Sequence, residues 1–369
     1  MPLLGSAIDL ACYKKDALRV ADFDFDLPEH LIAQKPRPRG DSRLLVVDRS
    51  AGNWREIPFR ELPQLFDAGD LLVVNDTLVF PARLTGHRDP SGGAVECFLL
   101  GRDETEDGVW FALVHPGQKL KPGARFIVED AARAPGVVIR GEVLERLFHG
   151  RRRVRLQQEG AATLDAAVDA LGHVPLPPYI HRPDTAEDRA RYQTVWARAR
   201  GSIAAPTAGL HFDDAALAAL DARGVSRASV TLHVGYGTFK PVRVDEVEAH
   251  VVDPETYVVS RETSAAIAST KANTHRVVAV GTTTTRALEH WALMRPEGAA
   301  FHGEADLFIY PGFRFRVVDA LVTNFHLPRS SLFMLVCALA GRELIQAAYA
   351  DAVRREFRFY SYGDAMVVL

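Results

Sequence analysis

The hydrophobic pattern of this chain changes period twice, and that double change constrains the fold more than any single motif does. From Phe23 the text alternates short helical stretches with buried strands. Asp26 stands where it caps a short helix with Pro28 early and Glu29 three residues on, and residues 44–47 read as a strand. FRELPQLF, Gly69 and LLVV then repeat helix, glycine stop and strand. Between about Arg83 and His173 the runs AVECFLL, VWFALV, ARFIV, GVVIRGEVLE and RRVRL are short, rich in β-formers and separated by turn residues. After GHVPLPPYI the helical period returns. DDAALAALDARG is a capped helix stopped at Gly224, SRASVTLHV, RVVAV, ADLFIY and ALVTNF are strands, and the last leads through Pro328 into the helix SSLFMLVCALAG.

A chain that turns to β and back predicts an α/β fold: one discontinuous α/β domain, residues 19–83 and 171–369, carrying an inserted small antiparallel β-barrel domain, residues 84–170. Five or six short strands must close on themselves or leave their edges unpaired. Residues 1–18 stand outside the pattern as an N-terminal extension. The length of 369 residues suffices for two cores. With 44 basic and 47 acidic residues no global positive field marks a nucleic-acid partner, so any RNA contact must come from local patches. Cys12, Cys97 and Cys337 share no short spacing and read as free thiols of a reducing compartment. The opening residues do not resemble a secretory signal, and the longest apolar stretch is about half of what spans a bilayer. A cytoplasmic protein with no membrane and no DNA partner is expected.

The common cofactor and hydrolase signatures are missing: no GxGxxG, Walker loop, GxSxG, HExxH or CxxC occurs. What remains is a set of polar and glycine-rich turns at strand ends, where open α/β sheets place their ligands. VVNDTLVFPARL runs a strand into Asn75 and Asp76, with Arg83 behind a proline; an Asx turn is the plain alternative. GSIAAPTAGLHF sets Thr207 and Gly209 ahead of His211 and a helix start, where small residues admit a flat ligand. HVGYGTFKPV carries Gly235 and Gly237 beside Tyr236 and Lys240. VVAVGTTTTRALE delivers Gly281, Thr282 and Thr283 into a helix N-terminus with Arg286 one turn in, a nest for a carboxylate or phosphate or simply a threonine cap. TNFHLPRSSL ends a strand with Asn324 and His326, and FRFYSYGDAMVV places aromatic residues around Asp364, as an edge strand or a base-stacking platform. No pair among His211, His233 and His326 has a short ligand spacing, so neither a metal nor a prosthetic group is expected.

For RNA, one segment interleaves Tyr179, Tyr192 and Trp196 with Arg182, Arg189, Arg191, Arg198 and Arg200, and Arg151 to Arg153, with Arg151 and Arg152 foremost, form a second, smaller basic patch. Arginines can hold phosphates while rings stack on unpaired bases; the plain alternative is a solvated helix face.

Taken in order, NDTLVFPARLTG, GHVPLPPYI, YQTVWA, GSIAAPTAGLHF, HVGYGTFKPV, GTTTTRALE, TNFHLPRSSL and FYSYGDAM resemble the motifs of the S-adenosylmethionine:tRNA ribosyltransferase-isomerase family, from about Arg19 to the end. The resemblance implies an α/β domain with an inserted β-barrel. It also implies a reaction: ribose is taken from S-adenosylmethionine, adenine and methionine are released, and an epoxycyclopentanediol is left on the aminomethyl group of a 7-deazaguanine base, giving epoxyqueuosine in tRNA. The implied partners are tRNA carrying 7-aminomethyl-7-deazaguanine at the anticodon wobble position and S-adenosylmethionine as cosubstrate. The chain departs from the family's HxMHSE stretch, where Asp253 and Pro254 replace a histidine and a serine, and GTTTTR stands for the more usual GTTSVR.

A sulfonium acidifies the adjoining ribose carbon, and departure of adenine is helped by a proton donor, so one base and one acid are needed. His211 and His326 are the candidates, with Asp76 and Asp364 as orienting or alternative carboxylates. Asn75, Thr207, Gly209, Gly235, Gly237, Gly281 and Asn324 are candidate substrate contacts. Arg286 with Thr282 and Thr283 is assigned to the methionine carboxylate and Arg83 to an RNA phosphate. The competing readings are a non-catalytic RNA-binding protein, and a transferase acting on a free small molecule, which would not need the arginine patches.

Overall fold

The computed structural model describes residues 18–239, 242–294 and 300–369; Cys12, Lys240 and all of the N-terminal extension except Leu18 lie outside them. Its frame is a nine-stranded sheet. At the centre run four parallel strands in the order Ser226–Leu232, Leu71–Asn75, Val277–Val280 and Ala320–Asn324. Ala365–Val368 follows antiparallel to the last of these and parallel to Arg43–Asp48, and Asn53–Pro58 closes that side. On the other side Glu255–Val259 and Phe301–Ala305 add antiparallel edges.

The central strands are continuous apolar runs because both faces of the sheet are covered. Leu71, Val73, Val277, Ala279 and Leu321 point to one face, into a core shared with Leu288 of helix Thr282–Met294, Phe333 of Ser331–Ala340 and Tyr349 of Arg342–Arg354. Leu72, Val74, Val278, Val280 and Val322 point to the other, against Phe59, Phe212 and Leu220. Phe325 is buried among Tyr349, Phe357 and Phe359, with ring centroids 5.0 to 5.3 Å away, and this cluster fixes the chain just beyond Ala320–Asn324. Among the described residues no single helix is long and apolar enough to cross a membrane. Cys97 and Cys337 are buried and unbridged.

Residues 83–159 form six antiparallel strands, each hydrogen-bonded to two others in a closed ring: Arg151–Glu159, Val109–His115, Ala94–Arg102, Arg83–Asp89, Arg125–Glu129 and Val138–Arg146, which returns to the first. Alternate side chains such as Leu84, Cys97, Trp110, Phe126, Ile139 and Leu156 build an apolar centre separate from those of the large sheet. Helix Leu164–Leu171, capped by Thr163, packs Val168 and Leu171 into the same centre.

Four local expectations are corrected. Asp26 caps nothing, since Glu29–Leu31 is a single 3-10 turn whose N-cap is Pro28. Phe59–Leu65 is a 3-10 helix, with Pro63 inside it removing an N–H that an α-helix would need. The strand sought at ADLFIY ends at Ala305. Ala365–Val368, for which an edge strand is one of the two readings, is an interior strand with all four residues buried.

Candidate active site

The parallel strands end together on one side of the sheet, and there the chain forms a cleft open to solvent at its mouth. Val234 follows Ser226–Leu232, Gly281 to Thr283 follow Val277–Val280, and Thr323 to His326 end Ala320–Asn324. Residues 204–208 supply a wall of small side chains, and Tyr179, Tyr192, Tyr360 and Ser361 contribute to the lining. The cleft therefore brings together Thr207, Gly281, Thr282, Thr283, Asn324 and His326 from segments distant in sequence.

Gly281 has φ +94°, which lets the strand turn at once into helix Thr282–Met294. Of the four threonines behind it, two bond backward: Thr284 Oγ1 donates to the Val280 carbonyl at 2.7 Å and Thr285 Oγ1 to the Gly281 carbonyl at 3.1 Å. Thr282 and Thr283 border the cleft instead, and the buried Thr283 Oγ1 has no hydrogen-bond partner.

His211 sits directly behind Asn324. Asn324 Nδ2 donates to the Tyr360 carbonyl at 3.1 Å, which fixes the amide orientation, because the side-chain oxygen could not face that carbonyl. The same nitrogen donates to His211 Nε2 at 3.0 Å. Nε2 is thus an acceptor, and the ring carries its proton on Nδ1, 2.7 Å from Ser42 Oγ. Burial, with the Arg191 and Arg39 cations nearby, lowers the His211 pKa to about 3 and keeps the ring neutral. His326 borders the cleft itself. Its Nε2 lies 2.9 Å from Thr323 Oγ1, its backbone N–H donates to the Tyr349 hydroxyl at 3.2 Å, and burial lowers its pKa to about 3. The Asn324 Oδ1 is buried with no partner.

Other expected site residues lie elsewhere. Asn75 spends its side chain joining strands, accepting from the Thr77 and Leu232 N–H groups and donating to the Leu232 carbonyl. Asp76 is buried, paired with Arg198 at 2.6 Å and accepting from Thr231 Oγ1. Asp364, fully buried, accepts from Arg37 and from the Arg43 and Arg358 N–H groups. Arg286, assigned to a methionine carboxylate, donates instead to Glu255 at 2.7 Å and to the Ala305 and Leu307 carbonyls. Gly235 donates its N–H to Glu255, and Gly237 lies against Asp253. Gly209 is needed for packing, since a Cβ there would come within 2.6 Å of Thr194 and 2.8 Å of Trp196.

The RNA candidates divide in the same way. Arg152 is buried and donates to the Gly117, Gly150 and Arg151 carbonyls, so its guanidinium is unavailable to a phosphate. Arg182 grips Asp188, Arg189 donates to the Asp169 and Gly172 carbonyls, and Arg191 to that of Arg37. Trp196 donates to the Asn75 carbonyl and packs on Phe212, and Tyr192 is a buried wall of the cleft rather than a stacking surface. Arg198 is 74% exposed, and Arg83 and Arg151 are about half exposed beside Glu96 and Asp253.

Comparison with known proteins agrees in every direction. Residues 20–368 match a family model described as queuosine biosynthesis protein. An S-adenosylmethionine:tRNA ribosyltransferase-isomerase of Citrifermentans bemidjiense is 52% identical over 95% of this chain and 99% of its own length. The enzyme of that name from Anaeromyxobacter dehalogenans is 50% identical over the same shares. This chain belongs to the queuosine biosynthesis protein family. A solved structure, S-adenosylmethionine tRNA ribosyltransferase from Thermotoga maritima, matches 94% of the chain and all of its own at a TM-score of 0.53 and 36% identity.

Several residues that build the site in this family member were not singled out from sequence. Ser42 stands 169 residues from the His211 it holds, and only the folded chain joins them. Thr323 is hidden inside an apolar strand. Tyr360 was visible in the aromatic run of FRFYSYGDAMVV, and its φ of +73° in the cleft lining is a strained backbone of the kind found at ligand sites. At the departure from the family pattern, Asp253 faces Arg151 of the ring at 3.6 Å, while neighbouring Glu255 anchors Arg286.

Proposed function

We propose that the chain transfers and isomerises the ribosyl unit of S-adenosylmethionine onto 7-aminomethyl-7-deazaguanine at the tRNA wobble position, giving epoxyqueuosine-tRNA with release of adenine and methionine, in the cytoplasm where tRNA resides. The observation that carries this reading is the cleft at the strand ends. It pairs a small-residue wall with buried, unpartnered oxygens, among them Thr283 Oγ1 and Asn324 Oδ1. Buried polar atoms without partners are rare unless a ligand satisfies them. A purely RNA-binding protein has no use for such a cleft. The relatives are named for this donor and this acceptor.

Within that reading His326, by its place at the cleft, takes the proton from the ribose carbon beside the sulfonium, and Thr323 orients its ring. Thr282, Thr283 and the helix N–H groups behind Gly281 receive the methionine carboxylate, a role in which they replace Arg286. Arg83, Arg151 and Arg198 offer exposed cations to the RNA, and residues 84–170 act as an inserted barrel domain with a core of its own. Among the described residues no group of three potential metal ligands occurs, so turnover is expected to survive EDTA.

The decisive experiment incubates the protein with S-adenosylmethionine and tRNA bearing 7-aminomethyl-7-deazaguanine, and measures adenine release with and without the RNA. Release that requires the modified tRNA supports the reading. Binding of tRNA with no adenine formed, and no effect of S-adenosylmethionine on it, would establish the RNA-binding alternative.

A further inference from the structure

The two nitrogens of His211 are both occupied, and one of them holds Asn324. Asn324 Nδ2 has two hydrogens, and both are spent, on His211 Nε2 and on the Tyr360 carbonyl. Its Oδ1 is left over: buried, unpartnered, and on a residue that borders the cleft and is itself 2% exposed. An asparagine free to rotate could present either end to a ligand. This one cannot, because reversing it would set Oδ1 against the Tyr360 carbonyl and would offer His211 Nε2 no donor.

We propose that Asn324 is the specificity-determining acceptor of the cleft, taking a hydrogen bond from an N–H or O–H donor on the nucleoside part of S-adenosylmethionine, and that His211 is a positioning residue. The inference rests on the functional reading above and assigns roles within it. Ser42 accepts the Nδ1 proton of His211, the ring presents Nε2 as a fixed acceptor, and Asn324 is thereby locked with its carbonyl toward the ligand. Two nucleoside features can supply the donor, the exocyclic amine of adenine and a ribose hydroxyl. Both satisfy the same lone pair, and a ligand lacking the right one leaves Oδ1 buried and empty. Sites built to hydrogen-bond a donor reject analogues without it far more strongly than apolar pockets reject a change of size. The arrangement also removes His211 from proton transfer, since its only basic lone pair is already in use.

Titration calorimetry tests this with S-adenosylmethionine and three analogues: the inosine counterpart, which carries a carbonyl in place of the amine, and the 2′-deoxy and 3′-deoxy compounds. Wild-type protein is expected to bind one of the three about tenfold or more weaker than the parent. Asn324→Leu is expected to bind the parent about tenfold weaker and to lose discrimination against that same analogue, which identifies the donor. His211→Gln restores an acceptor at the position of Nε2, so it should keep affinity within about threefold and leave the pH profile of kcat unchanged, whereas His211→Ala should weaken binding. Wild-type protein that binds all three analogues as tightly as the parent overturns the role of Asn324 without any variant having to fold. A folded His211→Gln protein with normal affinity but turnover cut a hundredfold overturns the positioning role and makes His211 the base. Failure of the wild type to bind S-adenosylmethionine at all sinks the functional reading, and this inference with it.

Discussion

His211 and His326 are buried as neutral imidazoles, each with its pKa lowered from 6.5 to about 3. The unfolded chain takes up a proton at each ring once the pH falls below 6.5, and the folded protein refuses it until about pH 3. Their contribution to stability is therefore complete above pH 6.5 and is lost as the pH falls through that window, by about 1.4 kcal/mol per pH unit per histidine. Urea melts at pH 7, 6 and 5 should show this slope, and a flat stability over that range would mean that the rings are not buried neutral. The acid limb of kcat/KM should likewise show no ionisation near 6.5. Replacing His326 with Ala is expected to cut turnover by roughly a hundredfold with tRNA affinity little changed, because acid–base help is lost only in the transition state. Normal turnover by that variant would move the proton transfer elsewhere. At this scale the sequence showed the residue types of the site but not their partners. His211 and His326 both stand in legible strand-end turns, yet nothing in the linear text distinguishes a histidine facing the cleft from one held behind it by Ser42 and Asn324.

Strand-to-helix turns carry the site, and they were the most legible elements, because a strand running into Gly281 and four threonines leaves few alternatives. The glycine itself is open to test. A Cβ on Gly281 would meet nothing closer than 3.8 Å, so Gly281→Ala costs only the backbone strain of φ +94°, about 1–3 kcal/mol. Thermal melts should show that loss together with weakened S-adenosylmethionine binding, since the turn sets the position of Thr282 and Thr283. A variant as stable as the parent would show that the turn is not constrained. Segments governed by tertiary contact were harder to read. The arginines of residues 182–191 look like an RNA-facing stripe in sequence, but Asp188 and the carbonyls of Asp169, Gly172 and Arg37 draw them inward.

At the scale of the whole molecule, the changes of hydrophobic period near residues 83 and 173 bracket the six-stranded ring and helix Leu164–Leu171, while the large sheet itself is left at Asn75 and re-entered at Ser226. The separate apolar centre of the ring leads to a prediction: calorimetry should resolve two unfolding transitions, and hydrogen exchange should protect residues 84–159 as a unit of its own. One transition with uniform exchange would mean that the ring depends on the sheet. The order of the sheet was less legible, because strand neighbours are chosen by long-range packing. Ala365–Val368 lies between Ala320–Asn324 and Arg43–Asp48, and the Arg43 N–H reaches Asp364 across 321 residues of chain. During synthesis the hairpin of Arg43–Asp48 and Asn53–Pro58 must therefore wait, one edge bare and apolar, until the ribosome has made the distant strand Ala365–Val368. The step that completes the sheet comes only once Ala365–Val368 has emerged, and in the interval before it the nascent chain is most exposed to aggregation and most dependent on chaperones.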